Sequence, residues 1–167
     1  MNMQTANDPL RGISGKNFTV AAVQRKVFNR SNVGVMLINR ETMDMESGGL
    51  NLLNGQHNRL AGIDYNLFSK DNRWTGKFFY HKTFEEGVNE DTGTGHMQLT
   101  FTDVNLMAGL SYSTIGENYN PLVGYTPRVG YQRIAPIMSY TFFPDSKVIN
   151  RHGPGFSSET LWTPSLG

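Results

Sequence analysis

Four histidines, His57, His81, His96 and His152, are the side chains best suited to metal binding or proton transfer. They stand far apart, with no His-Glu-x-x-His run and no carboxylate at ligand spacing, so they read as exposed or interior polar groups. Glu85, Glu86, Glu90 and Asp91 fall together in one polar stretch. A glycosidase needs two carboxylates held rigidly across a substrate, and these read instead as a solvated acidic loop. Calcium would be chelated there only if the loop folded back on itself. Gly93-Thr-Gly95 and Gly153-Pro-Gly155 lack the strand–turn–helix setting and the lysine of a phosphate cradle, which leaves them as turn signals. With no cysteine in the chain, thiol nucleophiles, disulfide scaffolds and Cys-ligated zinc are excluded. The expectation is a chain with no catalytic residues, no metal and no cofactor.

One segment is dense in unusual residues: Ile115-Gly-Glu-Asn-Tyr-Asn-Pro-Leu-Val-Gly-Tyr-Thr-Pro-Arg128. Its Gly, Asn and Pro residues imply a loop folded from turns. As a recognition loop it would stack Tyr119 and Tyr125 on sugar rings and hydrogen-bond through Asn118, Asn120 and Arg128. The alternative is a loop that packs on the mouth of a barrel and orders its neighbours.

The elements that must position these residues are β-strands. The chain has 167 residues, 18 of them glycine, with 17% charged and 11% aromatic residues. Such a composition suits one ordered, β-rich domain over residues 1–167. A net charge of +1 selects no partner, which argues against nucleic acid. No run reaches the ~18 apolar residues of a membrane helix. The first residues show neither a basic nor an apolar stretch of a secretory signal. A mean hydropathy of −0.42 looks soluble, but a membrane barrel also averages out as mildly polar.

Helical periodicity is nearly absent, whereas alternation of period two is widespread. Ala61, Ile63, Tyr65 and Leu67 oppose Gly62, Asp64 and Asn66. Met97, Leu99 and Phe101 oppose His96, Gln98, Thr100 and Thr102. The same rhythm runs through 74–80, 106–113 and 133–142, while 17–28 and 32–40 are β-rich but apolar on both faces. With a last segment at 155–162, about eight strands are expected, each with one wet and one dry face. Pro136 removes a ladder donor in mid-strand, so a bulge or an edge is expected there.

Short links follow Phe28, Ser69, Thr102 and Phe143, and long polar links cover 41–56, 84–95 and 115–130. Strict alternation puts all tight turns at one edge of an up-and-down sheet and all long loops at the other. Outer-membrane barrels show this asymmetry, and Greek-key sandwiches have no reason to. Aromatics near strand ends, such as Trp74, Phe101, Tyr112 and Tyr140, are placed as interfacial girdle residues would be. In a barrel, Asp64, Asn66, Lys77, His81, Gln98, Asn105 and Arg133 would face the lumen.

The segments Asn17-Phe-Thr-Val-Ala-Ala-Val-Gln-Arg-Lys-Val-Phe-Asn-Arg-Ser-Asn-Val-Gly-Val-Met36 and 115–128 resemble parts of the domain-of-unknown-function 5916 family of Bacteroidetes-type bacteria. That resemblance implies a surface protein with an N-terminal family-9-like carbohydrate-binding module and a C-terminal outer-membrane β-barrel. The chain lacks that module and the aromatic-ended last strand, and resembles a fragment of the barrel. The resemblance implies location in the outer membrane, contact with its lipid and with polysaccharide, and a structural or transport role without catalysis. Two alternatives follow: part of a carbohydrate-active hydrolase whose catalytic residues lie elsewhere, or a soluble β-sandwich carbohydrate-binding module.

Overall fold

The computed structural model describes residues 1–8, 10–28, 30–42 and 57–164. Its strands are β1 (Asn2–Gln4), β2 (Lys16–Val27), β3 (Ser31–Thr42), β4 (His57–Phe68), β5 (Trp74–Glu85), β6 (Gly93–Thr102), β7 (Leu106–Ile115), β8 (Tyr131–Tyr140), β9 (Gly155–Ser157) and β10 (Thr160–Trp162). Each strand lies antiparallel beside its predecessor, except that β9 and β10 both pair with β8. The result is an all-β up-and-down meander whose two edges do not meet, a curved open sheet.

The alternating segments become the long central strands, and two details differ from expectation. First, β5 runs on to Glu85 and β6 begins at Gly93, so the expected long link at 84–95 contracts to 86–92. Second, the segment at 155–162 is broken at Ser158 and Glu159, although β9 and β10 keep one continuous register against β8. Pro136 lies opposite that break. Its carbonyl accepts from the Ser158 amide at 3.1 Å. The proline nitrogen has no proton to return the bond. Pro136 therefore sits neither at a bulge nor at an edge. Its strand is paired on both sides, and the missing donor interrupts only the neighbouring ladder.

The tight turns after β2, β4 and β6 share one edge of the sheet, opposite the loop at 116–130. The fourth connection on the tight-turn edge departs from the expected sorting. Residues 141–154 form a longer excursion, pinned by a bridge between Phe142 and His152. Most of the expected link at 41–56 lies outside the described residues.

Register gives the sheet two faces of opposite character. On one, neighbouring strands set Val33, Tyr65, Phe78, Met97, Tyr112 and Ile134 in a single cross-strand row. The next row toward the tight turns holds Leu67, Gly76, Leu99, Leu110 and Pro136. The opposite face carries the polar rows, and no described residue covers the apolar one. Ile63 and Met138 are each 52% exposed, while the only buried apolar side chains among the described residues are Leu60 and Tyr119. A globular domain of this length buries most of its apolar surface in a core. Here the apolar residues stand outside.

Candidate functional site

The polar face is assembled by register rather than by any local motif. One row runs Asn32, Asn66, Lys77, Gln98 and Ser111, from β3 to β7. The adjacent row runs Asp64, Phe79, His96, Ser113 and Arg133, from β4 to β8. His81 stands one row further on, between Gly62 and Thr94. The structure thus sets Asp64, Asn66, Lys77, His81, Gln98 and Arg133 on one surface. Asn105 is the exception: it lies in the turn before β7 and donates its side-chain amide to the Thr141 carbonyl at 2.8 Å. An expected place in the lumen does not fit a residue tied to the sheet edge.

Within this surface the amides form a chain. Gln24 donates to the Asn32 side-chain oxygen at 2.7 Å. Asn66 donates to that same oxygen at 2.8 Å and to Asp64 at 3.3 Å. Beyond it lies a row of rings. His81 and His96 each stack with Phe79, with centroids at 4.7 and 5.4 Å, and Lys77 reaches over the Phe79 ring at 6.0 Å. Nδ1 of His96 is hydrogen-bonded to the Ser113 hydroxyl at 2.8 Å. Gly62 leaves the room that the His81 ring occupies, because a Cβ there would collide with it. Arg133 donates to Glu159 at 2.9 Å. No group of three His, Asp or Glu side chains suited to a metal occurs among the described residues.

Phe79, His96 and Ser113 were not among the expected site residues, although alternation already put His96 in phase with Gln98. What alternation cannot supply is the pairing of strands, which alone brings β5 and β6 into contact at Phe79 and His96.

The loop at 116–130 folds back over the mouth of this polar face. Tyr119 is buried at 8% exposure above β4 and β5, and burial raises its phenol above the usual tyrosine range. Asn58 donates to the Asn120 carbonyl at 3.1 Å, and Asn118 donates to the Glu90 carbonyl at 3.1 Å. The backbone amide of Gly116 bonds the Gly93 carbonyl at 2.8 Å. Arg128 lies over the Tyr131 ring at 5.4 Å. Tyr125, by contrast, is presented to solvent, 89% exposed. The expected pair of stacking tyrosines is therefore split. Tyr119 anchors the loop instead of offering a platform, and the side chains of Asn118 and Asn120 bond to neighbouring residues. A cleft of about 520 Å³ remains beside Glu85, Glu117 and Tyr125.

No protein-family model, curated protein or solved structure matches this chain.

Proposed function

We propose that the chain is a segment of an outer-membrane β-barrel, structural or transport-related, with no catalysis of its own. The observation that carries this reading is the inversion of the two faces. Rows of Val, Ile, Leu, Tyr and Met are left bare, while histidines, amides and charges line the opposite face. Water penalises such an arrangement at roughly 25 cal/mol per Å² of exposed apolar area, whereas hydrocarbon favours it. On the outer face the apolar rows end at a polar margin near the long loops, where Arg59 meets Glu41 at 3.6 Å and Asn39 at 3.1 Å. Near the tight turns, Trp74 packs on Phe101 with centroids 5.0 Å apart, as interfacial aromatics do.

A β-sandwich would need a second sheet over the apolar face, and the described residues form one sheet. Membership of the domain-of-unknown-function 5916 family, and with it a link to polysaccharide, rests on the sequence resemblance alone. The test is refolding into lipid vesicles, followed by gel mobility with and without heating and by circular dichroism. Strong β signal that requires lipid supports the reading. A monomeric β protein in plain buffer, indifferent to lipid, overturns it.

A further inference from the structure

The apolar face is not uniformly filled. Across β2, β3 and β4 one row reads Val23, Val35 and Ile63, all branched and bulky. The next row toward the long loops reads Ala21, Leu37 and Ala61, so two small residues flank a large one. They leave an open groove of about 530 Å³, walled by Leu37 and Phe84 and rimmed by Asn39, Glu41 and Arg59. A mostly apolar hollow of this size falls in the range of small-ligand sites.

Charge on this face is sparse and one-sided. Strands β2 to β8 present Arg25, Arg59 and Lys82 there, against one carboxylate, Glu41. Arg59 and Lys82 both stand at the groove. Arg59 pairs with Phe84 and Ala61 with Lys82, which makes the two cations diagonal neighbours, roughly 7–8 Å apart at Cα. Asn39 accepts from Nε of Arg59 at 3.1 Å, while Glu41 approaches Nη2 only to 3.6 Å, outside hydrogen-bond range. Lys82 extends over the Phe84 ring at 5.7 Å, and among the described residues no ion pair holds it. Both cations therefore keep donors for an anion at the mouth of the groove.

The level of this mouth fits the same chemistry. Trp74 and Phe84 are ten residues apart in β5, roughly 33 Å along the strand. At a barrel tilt of about 40° that becomes about 25 Å, the height of the apolar band of a membrane barrel. With Trp74 at one interface, Arg59 beside Phe84 reaches the headgroups of the other.

Building on the barrel reading, we propose that this groove binds one anionic phospholipid, with an acyl chain along Ala21 and Ala61 and the phosphate against Arg59 and Lys82. Two cations less the Glu41 carboxylate leave a charge of +1 at the mouth, which complements an anionic headgroup. The choline of a zwitterionic lipid would meet that charge as a like one.

The test is electron spin resonance of trace spin-labelled lipids in phosphatidylcholine vesicles that hold the refolded protein. Spin-labelled phosphatidylglycerol should associate about threefold or more tighter than spin-labelled phosphatidylcholine. Arg59→Gln combined with Lys82→Gln should remove the preference. Ala61→Phe, which fills the groove and keeps both cations, should remove it too, and Ala21→Phe serves the same purpose if that variant does not refold. Arg25→Gln, a cation on the same face away from the groove, should leave it intact. Equal association of both lipids, a preference that survives a filled groove, or its loss in Arg25→Gln overturns the proposal. Equal association with an Ala61→Cys thiol shielded from a lipid-soluble maleimide would assign the groove to polypeptide instead. If the protein folds in plain buffer and ignores vesicles, the barrel reading fails separately. The groove is then assayed with monomeric lysophosphatidylglycerol: saturable binding that Ala61→Phe abolishes keeps the site, and no binding removes it.

Discussion

Asn58 in β4 donates its side-chain amide to the carbonyl oxygen of Asn120, 62 residues further along, at 3.1 Å. Asn58 is almost completely buried, so this bond fastens the 116–130 loop to the rim of the polar face where water cannot replace it. Asn58→Ala should weaken loop docking by about 0.5–1.5 kcal/mol, the net value of one hydrogen bond. Trypsin cleavage at Arg128 gives the readout. The variant should be cut faster with the β content unchanged, and an unaltered rate would mean the loop is held elsewhere.

A charge placed on either face should distinguish them. Gln98 and Leu99 are neighbours in β6, yet Gln98 pairs with Lys77 and Ser111 while Leu99 pairs with Gly76 and Leu110. Leu99→Arg would put a guanidinium into the apolar rows, costing about 2–4 kcal/mol if that face meets the middle of a bilayer. Gln98→Arg would add a charge to a surface that is already polar and should be tolerated. The measurement is the urea dependence of vesicle-inserted protein for both variants. Equal effects would remove the distinction between faces on which the barrel reading depends.

Tyr119 gives the loop a dependence on alkaline pH. Burial raises its phenol in the docked state above the ordinary tyrosine range. The docked loop therefore holds the proton more tightly than the released loop. Docking stability is fully present below the ordinary value, about 10, and is lost as pH rises through the raised one. Trypsin sensitivity at Arg128 should climb in that alkaline window, and Tyr119→Phe should abolish the climb. A Tyr119→Phe protein with the same alkaline profile would assign the effect to another group.

Gly116 sits where two loops meet, and a Cβ on it would run into the Asp91 carbonyl. The neighbouring hydrogen bond from Gly116 to Gly93 fixes the approach, so neither backbone can retreat without losing that bond. Gly116→Ala should destabilise the docked loop by more than about 1 kcal/mol. Amide exchange at Gly116 and Asn118 reports it, and an unchanged exchange rate would show that the approach is not constrained.

Much of this fold was legible in the sequence, because a period of two is written residue by residue. Ile63, Tyr65, Met97, Leu99 and Leu110 declare one face, and Asp64, Asn66, Gln98 and His96 declare the other. Strand partnership is written nowhere locally. Alternation could not reveal that Phe79 would stack with both His81 and His96, because the contact with His96 depends on the register of β5 with β6. The loop at 116–130 announced itself by composition, but burial separated its tyrosines, and burial depends on what Asn58 and Thr83 offer from distant strands. Tyr119 and Tyr125 look equivalent in the sequence and end in opposite environments.

Pro136 offers the sharpest test of the edge at β9 and β10. The Ser158 amide donates to the Pro136 carbonyl, and the reciprocal bond from residue 136 to the Ser158 carbonyl cannot form. In the continuous register of β8 with both short strands, an ordinary residue at 136 would supply that donor. Pro136→Ala should therefore merge β9 and β10 into one strand and stabilise the edge by about 0.5–1.5 kcal/mol, the net value of one hydrogen bond. Amide exchange at Ser158 and Glu159 should slow accordingly. If those amides exchange as fast as before, the break comes from the sequence between the two strands and not from the missing proton opposite.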